Sequence, residues 1–345
     1  SKSTEKSRLR RKEADKENKG DGIIMKILIT GGAGFIGSNV ADAYIQAGHE
    51  VVVVDNLCSG KLENLNPKAR FYLADVRSAE IRKIFEIEKP DLVNHHAAQM
   101  SVPASVEDPG YDADVNVKGL INVLEAARRN GTKKVIFISS GGAVYGNATE
   151  YPTTEAYQPE PASPYAITKF VSEKYLAFYK DTYGLDYTVL RYANIYGPRQ
   201  IPHGEAGVVA IFMDRLISGK GCTVYRFPEE PKGMTRDYVF VGDVARANLI
   251  AIEKGSGGAF NIGTEIATHT LDLYTAIHDA VKSRMDLPNG LEKPTIGDAR
   301  PGDLKRSCLN YGKAKKVLGW EPKADLKEGL GLTLQWRLGP AFSKR

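Results

Sequence analysis

The stretch best suited to proton chemistry is Ser163-Pro164-Tyr165-Ala166-Ile167-Thr168-Lys169. Ser163 is a good N-cap and Pro164 a good first helical residue, so the run predicts a helix with Tyr165 and Lys169 one turn apart on one face. An unperturbed tyrosine ionises near pH ~10, and bringing it near neutrality takes about 4 kcal/mol of preferential phenolate stabilisation. A lysine ammonium one turn away can supply part of that, and a cationic cofactor ring the rest. Taken alone, this spacing describes many surface helices. Its meaning depends on what positions it.

Upstream, Ile27-Leu28-Ile29 breaks into Thr30-Gly31-Gly32-Ala33-Gly34-Phe35-Ile36-Gly37-Ser38. An apolar run that ends in glycines and reopens as Phe35-Ile36 and Val40-Ala41 predicts strand, tight turn and helix. Gly31 suits the turn, Gly34 lets backbone N–H groups approach a pyrophosphate, and Gly37 allows close packing of helix on strand. The helix N-terminus then faces the phosphates with its partial positive charge. Asp55 closes the next apolar run, Val51 to Val54, about 20 residues past the motif's middle, where a carboxylate accepts from a ribose 2′-OH. It would repel a 2′-phosphate, so NAD is expected rather than NADP.

Apolar runs recur at Phe71 to Leu73, Leu92-Val93, Val135 to Ile138 and Tyr187 to Leu190, with amphipathic segments between them. This alternation predicts an α/β fold, a Rossmann-type doubly wound parallel sheet with ligands beyond its carboxyl edge. Asp55-Asn56, Asp75-Val76, His96 to Gln99, Ser139-Ser140 and Arg191 to Asn194 all fall at that edge. Helical patterns at Val208 to Ile217, Leu271 to Val281 and Leu326 to Trp336 predict a smaller C-terminal lobe interleaved with the sheet. The expected division is a dinucleotide-binding domain at 25–198, rejoined by 237–263, and a substrate lobe at 199–236 and 264–345.

The 345 residues are 42% hydrophobic and 26% charged, which suits a globular chain with a large core. Much of the net charge of +5 is local, since eight Lys/Arg face four acids between Ser1 and Gly20. Residues 1–24 read as a charged, disordered leader, and the remaining basicity is too dispersed for nucleic acid. No run is long and apolar enough for a membrane span, and a cytoplasmic location is expected. Cys58, Cys222 and Cys308 lack disulfide or zinc spacing, and the histidines lack a ligand set, so no metal is expected.

With these motifs in order, the sequence resembles the extended short-chain dehydrogenase/reductase family and, within it, the UDP-glucose 4-epimerases. The resemblance runs from Met25 to Trp336 and rests on TGGAGFIGS at Thr30, DNLCSG at Asp55, HHAAQ at His95, DVNVKG at Asp114, SSGGAVYG at Ser139, SPYAITK at Ser163, LRYANIYGPRQ at Leu190, TRDYVFV at Thr235 and ARPGD at Ala299. It implies an NAD-dependent UDP-hexose 4-epimerase and a homodimer. By resemblance, Gly31, Gly34, Phe35 and Ile36 line the pyrophosphate, Asp55 and Asn56 the adenosine ribose, and Asp75 and Val76 the adenine. Ala97, Ala98, Gln99, Asn116, Ser139 and Tyr192 accompany the nicotinamide end, with Lys169 bonding its ribose and Tyr165 exchanging the proton of the sugar C4 hydroxyl. Asn194, Gly207, Val208, Val209, Arg236, Arg300 and Asp303 would hold the UDP-sugar substrate.

Three departures from the family pattern stand out. Gly141 replaces the usual proton-relaying Ser or Thr, so Ser140, a water or direct contact is expected to serve instead. The residues after Gly141 also lack the acids that dehydratases and decarboxylases carry there. Phe227 to Gly233 replaces a short turn before Arg236 and predicts a longer loop. Ser307 falls where these enzymes place either a bulky or a small residue, and its size leaves room for the 2-acetamido group of UDP-GlcNAc or UDP-GalNAc. A UDP-glucuronate 4-epimerase is the nearest alternative, with Arg199 or His203 meeting the carboxylate. A catalytically silent dinucleotide-bound sensor is the alternative of another class, opposed by the retained Tyr165, Lys169, Arg236 and Arg300.

Overall fold

Seven parallel strands form the central sheet of the computed structural model, which describes residues 23–202, 207–299 and 304–339. They are β1 (Lys26–Thr30), β2 (Glu50–Asp55), β3 (Arg70–Leu73), β4 (Leu92–His95), β5 (Lys134–Ser140), β6 (Asp186–Tyr192) and β7 (Gly258–Ile262), in spatial order β3-β2-β1-β4-β5-β6-β7. The order reverses between β1 and β4, which opens a crevice at the carboxyl ends of those strands. The leader lies outside the described residues except for Ile23 and Ile24, which are exposed.

The sheet is a product of apolar runs covered on both faces. Ile27, Leu28 and Ile29 are all fully buried, because successive side chains point to opposite sides and helices close both. Ile27, Ile29, Val51 and Val53 meet Val40 and Tyr44 of helix Phe35–Gln46 and Val244 and Ala247 of helix Val241–Ala251. Leu28, Val52 and Val54 meet Ile81 and Phe85 of helix Glu80–Glu88, Leu120 and Leu124 of helix Gly119–Arg129, and Leu176 of helix Pro164–Tyr183. Full burial of each such large aliphatic side chain contributes about 1.5–3 kcal/mol. Inside the first layer, Asn94 donates to the Tyr44 hydroxyl and to Asn248, and Asn248 donates to the Tyr192 hydroxyl at 2.6 Å. This buried chain ties β4 and β6 to both helices of that face.

A second core joins helices Val208–Ile217, Thr270–Lys282 and Leu326–Leu338 through Phe212, Leu216, Tyr274, Ile277 and Leu330. Small sheets edge it: Thr223–Arg226 pairs with Thr295–Asp298, and Thr235–Arg236 lies between Thr268–His269 and Arg306–Ser307. Two segments bear on how the sheet and the smaller lobe meet. Tyr238–Phe240 pairs with Asn194–Tyr196 rather than with the large sheet. Ala314, Leu318 and Trp320, expected in the lobe, pack in the sheet-side core, where the Trp320 indole donates to the Asp243 carbonyl at 2.9 Å. Helix Val241–Ala251 leaves an apolar flank there, and this stretch covers it.

Candidate active site

The glycine turn is closed by contacts that only glycine permits. Gly31 has φ +70°, and a Cβ there would stand 2.7 Å from the Ala97 nitrogen. A Cβ on Gly37 would overlap the Gly31 carbonyl, so helix and strand approach each other at backbone distance. Gly34 is the N-cap of helix Phe35–Gln46, and the first turn carries no acid, which leaves its amides and dipole available to an anion. At the end of β2, the two Asp55 oxygens accept from the backbone N–H groups of Ala33 at 3.0 Å and Leu57 at 2.8 Å. Lone pairs remain on the carboxylate for a ribose hydroxyl. Past β3, Arg77 grips Asp75 through two 2.8 Å bonds and Asn56 donates to it at 2.9 Å. The Arg77 bonds hold the Asp75 carboxyl well below the usual range, against partial burial and with help from Asn56.

Helix Pro164–Tyr183 begins as the sequence predicts, with the Ser163 hydroxyl accepting from Ala166 N at 3.2 Å. Lys169 is buried and its ammonium donates to the Ile138 carbonyl at 2.8 Å, while standing 5.9 Å from the Tyr165 ring centroid. Burial pushes Lys169 down to about 8, opposed by the charges of Asp112 and Glu173. Burial pushes Tyr165 up to about 12, opposed by a hydrogen bond with the Ser140 side chain and aided by Asp112. Ser140 ends β5 and precedes the single-turn helix Gly141–Val144, an arrangement that turns its hydroxyl to Tyr165.

One cavity of about 1180 Å³ runs from the glycine turn past Tyr165 and Lys169 into the smaller lobe. Its wall holds Gly31, Gly34, Phe35, Ile36, Asp55, Asn56, Asp75, Val76, Ala97, Ala98, Gln99, Ser139, Ser140, Tyr192, Asn194, Gly207, Val208, Val209 and Arg236 among the residues singled out above. Two of those hydroxyls are engaged elsewhere: Ser139 donates to Glu173 at 2.7 Å, and Tyr192 accepts from Asn248.

Asn116 and Ser307 stand outside the wall. Asn116 lies within the π-turn Asp114–Lys118, buried behind Gln99, where it accepts from the Gln99 N–H at 2.9 Å and donates to its carbonyl at 3.0 Å. It therefore shapes the wall through Gln99. Ser307 sits in register with Arg236, its hydroxyl 3.5 Å from where a Cβ on Gly142 would lie. Arg300, Asp303 and His203 lie outside the described residues.

The lobe side also holds residues that motif spacing did not single out, among them Thr223 and Tyr225. Their signal was the strand alternation of Thr223-Val224-Tyr225, in which Val224 points into the core and its neighbours into the cavity. Arg236 donates to the Thr235 carbonyl at 2.9 Å and reaches the Lys305 carbonyl at 3.5 Å. The loop at Phe227 to Gly233 is pinned to the same strand edge, Glu229 by Lys305 and Glu230 by Arg306 at 2.9 Å. Among the described residues no cluster of ligating side chains could hold a metal ion.

A doubly wound parallel sheet with a glycine turn after β1, an acid ending β2 and a Tyr-x-x-x-Lys helix beside β5 defines the extended class of short-chain dehydrogenases/reductases. The chain belongs to the NAD dependent epimerase/dehydratase family, whose model matches residues 27–263. It is 44% identical over 318 residues to the UDP-glucose 4-epimerase of Mycolicibacterium smegmatis, covering 90% of this chain and 98% of that one. It also resembles the crystal structure of UDP-glucose 4-epimerase with UDP-glucose from Thermotoga maritima, at 47% identity and a TM-score of 0.85 over 91% of this chain and 99% of that one. The UDP-glucose 4-epimerase of Thermus thermophilus, in complex with NAD, gives 42% identity and a TM-score of 0.85, over 92% and 100% of the two chains.

Proposed function

We propose that this chain interconverts UDP-glucose and UDP-galactose by inverting C4, with NAD kept through turnover. One observation carries the reading: Tyr165 and Ser140 lie together on the wall of the cavity that joins the glycine turn to the lobe carrying Arg236. The cavity fits a dinucleotide at its sheet end, because Gly31 and Gly37 leave no room for side chains there and Gly34, Phe35 and Ile36 at the start of the helix line it. His96, also in the wall, keeps a buried Nε2 without a hydrogen-bond partner among the described residues, and burial pushes its ring down to about 3, so it offers a neutral polar edge to a ligand.

Gly31, Gly34, Asp55 and Lys169 would hold NAD, which when bound takes up a hydride from the sugar carbon and gives it back. Tyr165 removes the C4 hydroxyl proton and later returns one, with Ser140 as the relay between sugar and phenol. Lys169 favours the phenolate by charge. Asn194 and Arg236 hold the nucleotide end, and Arg300 and Asp303 are proposed to join them; with that end fixed, the sugar can present its other face. The small Ser307 extends the proposed range to UDP-GlcNAc and UDP-GalNAc.

A UDP-glucuronate reading finds less support, since Arg199 is paired with Asp42 at 2.7 Å. We also propose a homodimer through helix Pro164–Tyr183, whose Ile167, Phe178 and Tyr183 are exposed apolar side chains. No helix among the described residues is long and apolar enough to cross a membrane. The three cysteines are unpaired thiols, which fits the proposed cytoplasmic site.

The test is incubation of the purified protein with UDP-glucose, UDP-GlcNAc and UDP-glucuronate in turn, without added cofactor, and separation of the C4 epimers. Conversion of the first two with co-purified NAD supports the reading, and Tyr165→Phe should abolish it. Absence of nicotinamide nucleotide together with inability to bind it would overturn it.

A further inference from the structure

Asp112 is fully buried on the short helix Pro109–Ala113, one turn before Asn116. One carboxylate oxygen accepts from Gln99 Nε2 at 2.8 Å and Asn116 Nδ2 at 3.0 Å, and the other from Thr168 Oγ1 at 2.7 Å. All three donors are neutral. A buried carboxylate held by neutral groups is costly to fold, and such charges concentrate where they have a task.

The surroundings of Lys169 identify that task. Its own helix presents Tyr165 and Glu173, β4 ends in His95 with His96 directly after it, and Arg191 stands behind Glu173 on β6. The Glu173 charge is matched by Arg191 at 2.6 Å, and burial pushes both histidines down to about 3, so they are neutral. The ammonium's own hydrogen bond goes to a carbonyl, at Ile138. Among the described residues, Asp112 is thus the buried negative charge near Lys169 that lacks a cation of its own. Thr168 ties it to the turn between Tyr165 and Lys169.

We propose that Asp112 is a positioning residue that holds Lys169 in its charged form, an inference that rests on the epimerase reading of the Tyr165–Lys169 pair. The same charge works against ionisation of Tyr165. Removing it should therefore lower the midpoints of both groups: a lysine loses its proton more readily without a neighbouring anion, and a tyrosine does too.

Asp112→Asn removes the charge and can keep the hydrogen bonds. The amide oxygen can accept from Gln99 and Asn116, and the amide nitrogen can donate to Thr168, whose hydroxyl already has the Tyr165 carbonyl as acceptor at 3.0 Å. Thr168→Val is the complement, deleting a bond to Asp112 while its charge stays. The experiment uses the full chain labelled with 13C-lysine, assigns the Lys169 ε-carbon by its loss in Lys169→Arg, and titrates it by NMR from neutral to alkaline pH. Alongside, kcat is measured against pH with UDP-glucose.

The Lys169 midpoint should fall by about one pH unit in Asp112→Asn and hold in Thr168→Val. Both limbs of the kcat profile should move to lower pH in Asp112→Asn alone. An unchanged Lys169 midpoint in folded Asp112→Asn overturns the proposal, as does lost turnover in both variants with no midpoint moving. Asp112→Ser, which leaves space for a water, is read in the same way should Asp112→Asn fail to fold. A lysine midpoint that falls in a parent series showing no turnover on any UDP-hexose upholds the charge relation and counts against the epimerase reading alone.

Discussion

Gly141 and Leu309 share one space: a Cβ on Gly141 would overlap Leu309 Cδ1 and stand 3.1 Å from Cδ2. Leu309 is itself buried, packed with Tyr145 and Ala148, and its N–H donates to Asp237. The position that carries a relay hydroxyl in the family pattern is therefore filled here by a leucine from a distant segment.

Gly141→Ser should consequently destabilise the fold by about 1–3 kcal/mol, the usual cost of overpacking, without raising turnover. Pairing it with Leu309→Ala should recover part of that loss. Denaturant unfolding of the single and double variants measures it, and a neutral Gly141→Ser would mean that Leu309 repacks freely.

With that space closed, Ser140 is the relay proposed above. Ser140→Ala should lower kcat by about 10²-fold and leave bound NAD at parental levels. Turnover equal to that of the parent would exclude Ser140 from the proton path.

Asp237 gives a pH signature in stability. Burial pushes its carboxyl up to about 6, against hydrogen bonds from Thr264 and the Leu309 N–H. In the unfolded chain it ionises near pH ~3.9, so between about pH 4 and 6 the folded protein holds a proton that the unfolded chain releases. Folding stability should therefore fall as pH rises through that window, by about 2–3 kcal/mol from this group. Urea unfolding at several pH values should show the decline, and Asp237→Asn should flatten it whatever its effect on absolute stability.

Ser307→Tyr should act on substrate choice. The Ser307 hydroxyl lies over the backbone of Gly142, with Asn194 of the cavity wall close by, so a phenol ring built from that position would reach toward the end of the cavity where the sugar is proposed to sit. Conversion of the 2-acetamido substrates should drop by about tenfold or more relative to UDP-glucose, because steric exclusion of a group discriminates at that scale. Equal losses on both pairs would show that Ser307 is not at the 2-position.

Much was written locally. Apolar runs covered on two faces, glycines at a turn that only they can make, and an N-cap with proline one residue before Tyr165 all act through near neighbours. The sheet, its crevice and the Tyr165–Lys169 spacing followed from them. The return of Trp320 to the sheet-side core left no such trace, because it depends on an apolar flank of helix Val241–Ala251 that only packing reveals. Asn116 matched a motif, yet its place behind Gln99 is set by side-chain hydrogen bonds across the π-turn.

The sequence by itself determined the sheet, the dinucleotide turn and the helix that bears the phenol and the ammonium, since each is encoded in contiguous residue types. Tertiary structure alone decided that Leu309 closes the space at Gly141, that Ser140 turns to Tyr165, and that Asp112 is buried beside Lys169 without a cation of its own. Volume exclusion and electrostatic fields act through space between residues remote in the chain, and no local pattern records them.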